Sequence, residues 1–297
     1  MTNTVNGAAV QQPTIKKKSR AGEIWRRFRK NKLAVFGMIL FALILLVAIF
    51  ADAIVNYSVA TTQVAADRLL SPNAEHWFGT DNYGRDLFAR IVHGSRNSLL
   101  VGFGSVAIGV VLGGLLGAVC GYVGGRFDAI MMRVLDSIMC IPSMMMALAI
   151  VAALGSSLVN VLLAMTISNV PWYCRIIRSS VLGVTGQTYI EAARSCGTSD
   201  FQIIMTHVLP NAMGPIIVQA TMGIGGAIIS AAGISFVGMG IQPPAPEWGA
   251  VLNEAKTFMT MYPYMVVFPG LAIGLTALSM NLMGDGLRDA LDPKLKD

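Results

Sequence analysis

At 297 residues, 54% hydrophobic and only 13% charged, with a mean hydropathy of +0.62, this chain is too apolar for a soluble globular domain. The net charge of +6 is a topology signal rather than a nucleic-acid signal, because Lys and Arg gather in the polar breaks between apolar runs. No Gly-x-x-x-x-Gly-Lys-Ser/Thr occurs and none of the eight lysines follows a glycine, so ATP is not expected to bind here through a phosphate loop.

Met1–Thr14 is polar and reads as disordered, and Arg20–Lys32 as a basic interfacial helix with Trp25 and Phe28 turned toward lipid; together 1–32 form a tail. The first charge-free run, Leu33–Ala51, is long enough to cross a bilayer, which takes about 20 apolar residues. Ala51-Asp52-Ala53 imitates a cleavage site, yet the long basic leader and the long apolar run favour an uncleaved anchor over 33–55.

Residues 56–96 form an extracytoplasmic segment in which Leu87, Phe88, Ile91 and Val92 share an apolar face beside Arg85, Arg90 and Arg96, as in a helix lying on the outer surface. Residues 97–285 form the core, with a second span over Asn97–Gly125. There Ser105, Gly109, Gly113, Gly117, Gly121 and Gly125 recur every four residues, giving a small-residue stripe that admits a close neighbouring helix. The stripe reads either as a sliding contact for alternating access or as static packing. Ser137–Cys174 holds two spans with a turn at Gly155-Ser156-Ser157. Asp136 is a candidate inner gate, the competing reading being a local pair with Arg133. Met139, Met144, Met145 and Met146 around Pro142 suit either an adaptable pore wall or plain packing.

Residues 186–210 interrupt the apolar pattern. Glu191-Ala192-Ala193 to Cys196 suits a short helix with a small-sided face, and Gly197 suits a left-handed helix end. Ser199-x-x-Gln202 is a capping-box pattern, and Leu209-Pro210 an abrupt stop before a fifth span from near Ala212. After Ser235–Gly240 and the stiff Pro243-Pro244-Ala245-Pro246, with Trp248 as an interfacial anchor, Phe258–Gly284 supplies the sixth span and 286–297 a tail. Placing the N terminus in the cytoplasm puts seventeen of the 22 Lys and Arg inside, together with the Glu191 loop. The four cysteines and three histidines show no metal spacing, and no disulfide is expected. Ionisable residues at depth are scarce, which disfavours an ion-coupled secondary transporter; a scaffold that moves nothing is the other rival class.

The Glu191-Ala-Ala-x-x-x-Gly197…Leu209-Pro210 pattern resembles the cytoplasmic coupling loop of permease subunits in ATP-binding-cassette importers, with His207 where an aliphatic residue is usual. His76–Ser98, Ser235–Gly249 and Asn281–Lys294 resemble the dipeptide, oligopeptide and nickel importer group, the last especially its C-type dipeptide permeases. The resemblance implies an all-α type I importer permease with six transmembrane helices, in a bacterial cytoplasmic membrane with both termini cytoplasmic. It further implies a second, B-type permease subunit, two ATPases that use ATP and Mg, and an extracytoplasmic binding protein. Dipeptides or short oligopeptides are the cargo, with nickel or another peptide-like solute as the alternative. By the same resemblance Glu191, Ala192, Ala193, Gly197, Leu209 and Pro210 would couple, with no catalytic residue and no cofactor in this chain, while the spacing alone assigns Gly109, Gly113, Gly117 and Gly121 to helix packing.

Overall fold

The computed structural model describes residues 20–291. The tail Met1–Thr14 and the terminal Lys294 and Lys296 lie outside the described residues. The described chain is helical, with one isolated antiparallel bridge between Thr80 and Asp86. In chain order the helices are α1 (Arg20–Phe28), α2 (Lys32–Ile49), α3 (Ala51–Ile54), α4 (Tyr57–Thr61) and α5 (Leu87–Val123). Then come α6 (Gly125–Met139), α7 (Ser143–Leu154), α8 (Leu158–Thr185), α9 (Thr188–Ser195) and α10 (Asp200–Ile203). A π-turn over Ile204–Val208 leads into α11 (Leu209–Phe236), followed by α12 (Trp248–Ala255) and α13 (Tyr264–Leu291).

Helix α2, helix α5, the continuous run Asp200–Phe236 and helix α13 are each long and apolar enough to cross a membrane. The pair α6–α7, bent by 80°, is apolar enough to make a fifth when its two helices count as one broken span. Helix α8, at about 42 Å, is also long enough. Asn160, Ser168, Asn169 and Arg175 dilute its apolar character, and it packs along α5.

Several boundaries differ from the sequence expectation. Helix α5 begins at Leu87, so it runs unbroken through residues 96 and 97, and no separate surface helix exists there. Its cap explains the start: the Asp86 carboxylate accepts the Ala89 N–H at 2.7 Å. The third crossing starts at Gly125 rather than Ser137 and breaks at Cys140–Pro142, where Pro142 offers no N–H to continue the ladder. Gly124 and Gly125 both have positive φ, so Gly125 leaves the stripe and turns the chain into α6. The turn at Gly155–Ser157 separates α7 from α8, with Gly155 at φ +90° and the Ser157 hydroxyl capping Asn160. Pro210 opens α11 instead of stopping a helix, because its missing donor falls among N–H groups that have no helical partner. The last crossing starts at Tyr264, six residues after Phe258, and continues to Leu291.

Close crossings at glycine hold the bundle together. A Cβ on Gly113 would meet the backbone of α8 at Val170 and Cys174, and one on Gly121 would meet Arg178 and Val181; Gly109 faces the Tyr173 ring. Gly225 of α11 touches Ala277 of α13, and Gly37 of α2 touches Ser279 and Leu282 of α13. Thus α5 and α11 lie centrally, α8 and α7 on one side, α13 and α2 on the other. Phe28 is buried against Ala34 and Ala290 at the end of α13, while Trp25 stays half exposed and stacks on it, so α1 turns Phe28 inward rather than toward lipid.

Candidate functional site

Two polar assemblies occupy opposite ends of α5, a helix about 55 Å long. At its C-terminal end stands the 186–210 loop. Helix α9 carries Glu191, Ala192 and Ala193, and only Ile190 is fully buried on it. The turn after α9 closes with Gly197 N–H donating to the Arg194 carbonyl at 2.9 Å and Thr198 N–H to the Ala193 carbonyl at 3.2 Å. Gly197 has φ +78° and open space where a Cβ would stand, so the backbone sign alone demands glycine there. Ser199 then caps α10, accepting the Gln202 N–H at a long 3.4 Å; the reciprocal half of the capping box is absent among the described residues.

Ile190, Ile203 and Val208 are completely buried and join the main core, whereas Glu191, Ala192, Arg194 and Gly197 face outward. Tyr189, Phe201 and Met205 add exposed apolar surface. The loop is therefore an outward platform anchored by three aliphatic pins. A polar tie adds to them. Tyr122, at the end of α5, donates to Asp200 at 2.5 Å and accepts from Arg194 Nε at 3.2 Å, with the guanidinium 4.7 Å from the centre of its ring. That hydrogen bond raises the Arg194 pKa above its ordinary value, so its charge is permanent. Sequence reasoning finds the loop but not this tie, because its partners lie more than seventy residues apart.

The structure places Leu209 half-buried against the core and Pro210 exposed at the head of α11. His207 sits in the π-turn, and its carbonyl accepts from Asn211 at 2.7 Å. Asp136 pairs with Arg175 of α8 and not with Arg133, because α6 crosses α8 at this level. One helical stretch earlier on α6, Asp128 takes both Nε and Nη2 of Arg178. The two ion pairs differ in setting. Asp136 and Arg175 are both about half exposed, so Asp136→Asn should lower stability by less than about 1 kcal/mol, read as a thermal midpoint of the purified complex.

At the N-terminal end of α5, Arg85 in the segment before the helix reaches Glu254 of α12 at 2.6 Å, and Asn97 of α5 itself donates to the Pro246 carbonyl at 2.7 Å. Asp81 accepts from Arg85 Nε at 2.7 Å and from Arg90 Nη1 at 2.6 Å, and Glu254 of α12 accepts from both arginines. Arg85, Arg90 and Asp81 are essentially inaccessible, so the exposed basic helix face expected there is instead a buried two-cation, two-carboxylate knot. Trp248 is buried too, its indole N–H donating to the Ile91 carbonyl at 2.9 Å, which corrects its reading as an interfacial anchor. Glu247 caps α12 through the Gly249 and Ala250 N–H groups and also accepts from Ser98. Among the described residues no three His, Cys, Asp or Glu side chains gather as a metal cage.

This architecture has known relatives. A family model described as the binding-protein-dependent transport system inner membrane component matches residues 109–297, and one for the N-terminal TM domain of oligopeptide transport permease C matches residues 19–72. The chain is 47% identical to the dipeptide transport system permease protein DppC of Alkalihalophilus pseudofirmus, over 92% of this chain and 90% of that protein. Identity to the glutathione transport system permease protein GsiD of Escherichia coli is also 47%, with the same coverage. Among solved structures, a chain of the inward-facing MetNI methionine ABC transporter shares the fold, with a TM-score of 0.57 at 19% identity over 68% of this chain and 96% of that one. An all-helical bundle of membrane-crossing helices, an outward two-helix platform and these matches lead to one assignment: the chain belongs to the family of inner-membrane permease components of binding-protein-dependent ABC transport systems.

Proposed function

We propose that this chain is one of two permease subunits of an ATP-driven importer of dipeptides or short oligopeptides. The observation that carries the reading is the mechanical layout of the 186–210 loop. Glu191, Ala192 and Gly197 face outward, and the same short helices are pinned into the core through Ile190, Ile203 and Val208. A force applied to the platform therefore reaches α8 and α11 without slack. Small side chains on α9 let an ATPase surface approach the backbone, and the Glu191 carboxylate offers a charge for orienting it. ATP binding would close two separate ATPase subunits, using Mg, and the moving platform would swing the spans from inward-facing to outward-facing. Hydrolysis would reset them.

The similar proteins transport, by their names, a dipeptide and glutathione, itself a tripeptide, which supports a peptide-sized cargo over nickel. The charge bias supports a cytoplasmic platform with both termini on the same side, in a bacterial cytoplasmic membrane. The platform lies at the opposite end of α5 from the buried knot, which leaves that other end for a second partner, an extracytoplasmic binding protein.

ATP-dependent uptake of a labelled dipeptide into vesicles holding the assembled complex tests this. Gly197→Leu forces a leucine into a left-handed conformation at about 1–2 kcal/mol, and Glu191→Ala removes the charge. The double variant should lose at least tenfold in uptake and release its ATPase more readily on purification. Normal uptake by the double variant would make the loop an ordinary connector. Absence of dipeptide uptake by the wild type, with uptake of nickel, would replace the cargo.

A further inference from the structure

The sharpest irregularity inside the bundle is the 80° break between α6 and α7. Pro142 contributes no N–H, no side chain caps α7, and Cys140–Ser143 are exposed. Its depth can be fixed from the neighbouring packing. Tyr173 of α8 packs on Gly109 and Gly113, the middle of the charge-free run Asn97–Gly125, so Ser168–Trp172, the break beside them and the half-exposed Asp136–Arg175 pair, whose charges call for water there, share the mid-bundle level. Non-helical backbone at that depth is tolerated only where protein covers it or it lines a water-filled cavity.

The break borders a recess of about 330 Å³ between the α6–α7 junction and α8, lined by residues that include Met139, Pro142, Met146, Ser168, Asn169 and Trp172. Ser168 is satisfied within its helix, donating to the Ala164 carbonyl at 2.8 Å. The half-buried Asn169 carboxamide has no hydrogen-bond partner among the described residues. Pro171, inside α8, also leaves the Ile167 carbonyl without its helical donor. A free carboxamide turned to lipid at mid-depth is strongly unfavourable. The volume lies at the small end of ligand sites and suits one or two amino-acid residues.

We propose that this recess is a stretch of the translocation path, where Asn169 hydrogen-bonds the backbone of the passing peptide and Met139, Met146 and Trp172 form an adaptable wall for its side chains. The proposal rests on the peptide-import reading above. A carboxamide presents two donors and an acceptor, the complement of a peptide bond's C=O and N–H, so it reads backbone and ignores side-chain identity. Unbranched thioethers refill a space whose contents change from one cargo to the next. Together these are the contacts expected of a wall that must pass many peptides and retain none.

Cysteine accessibility in the assembled complex tests it. Asn169→Cys and, separately, Trp172→Cys are placed in a Cys140→Ser, Cys196→Ser background, since those two native thiols are exposed. Vesicles are treated with a charged, water-soluble methanethiosulfonate, with and without saturating dialanine, and in parallel with a lipid-soluble maleimide. Both cysteines should react with the charged reagent, and dialanine should slow the reaction severalfold. Asn169→Leu should cut dipeptide uptake about tenfold, with partial recovery in Asn169→Gln. Reaction with the maleimide alone would set the recess against lipid. Reaction with neither reagent would mean that the second permease subunit fills it. Modification indifferent to dialanine, in a complex that imports it, would remove Asn169 from the path. Each of these three results overturns the proposal. Failure of the wild type to import dialanine would instead refute the peptide reading, and with it the peptide contact, while the charged reagent still reports whether the recess is wet.

Discussion

Gly113→Leu is expected to prevent the permease from forming a stable bundle. A Cβ at this position would stand 2.9 Å from both the Cys174 amide nitrogen and the Val170 carbonyl oxygen, and 2.8 Å from the Tyr173 Cβ. Two of these three atoms are backbone, so no rotamer change clears them, and leucine adds three further carbons. The helices must separate along their whole contact, which is the most extensive between any two helices described. Association of helices in a bilayer depends on this close packing, because lipid removes the hydrophobic drive that would offset a poor fit. A loss of at least about 3 kcal/mol is expected, at the upper end for overpacked cores. Gly117→Leu should behave alike, its Cβ falling against the Cys174 carbonyl. Thermal unfolding of the detergent-solubilised complex, followed by size-exclusion chromatography, reads the result. Gly226→Ala is the control: nothing lies within 4 Å of its added Cβ, so the variant should match wild type or gain up to about 1 kcal/mol. A wild-type melting midpoint for Gly113→Leu would mean that α5 and α8 do not touch here.

The second large effect concerns Asp81. Its carboxylate takes the backbone N–H groups of Tyr83 and Arg85 on Oδ1 and the two guanidinium groups on Oδ2. Asp81→Asn keeps shape and volume, and the amide oxygen can hold the two backbone donors. The amide nitrogen would then point its hydrogens at Arg85 and Arg90, and two buried cations would share the single carboxylate of Glu254. Removing one partner from a buried ion-pair network costs about 3–5 kcal/mol. The segment from Val64 to Asp86 should loosen from α5 and become open to limited proteolysis, with a lowered thermal midpoint. Asp136→Asn, the same chemical change at a half-exposed pair, should leave both readouts nearly untouched. Equal behaviour of the two variants would contradict the burial difference on which the contrast depends.

Much of this protein is local in origin and therefore visible in the sequence. Charge-free runs announce the apolar helices because a bilayer core tolerates little else. The stripe from Gly109 to Gly121 announces a close neighbour because a period of four follows one face of a helix. Gly197 announces a left-handed turn because the backbone there admits almost no other residue. Ser157 and Gly155 mark the turn between α7 and α8 for the same short-range reasons. The outward platform is legible as a pattern, since its helices, bend and cap all lie within about twenty residues.

What the sequence leaves open is every choice between partners far apart along the chain. Nothing local tells Asp136 to pair with Arg175 rather than Arg133, since both arginines are plausible until α6 is laid across α8. Nothing local buries Arg85 and Arg90, because their apolar surroundings and the Glu254 carboxylate arrive from α12. Trp248 looks like a surface anchor by type and becomes a core residue only when α5 supplies the Ile91 carbonyl and the space beside it. The recess at Asn169 likewise exists only because the Pro142 break is held against α8. Periodicity and backbone sterics act over a few residues, and these the chain determines by itself. Charge pairing, burial and cavity shape depend on which helix arrives next, and only the packed bundle decides them.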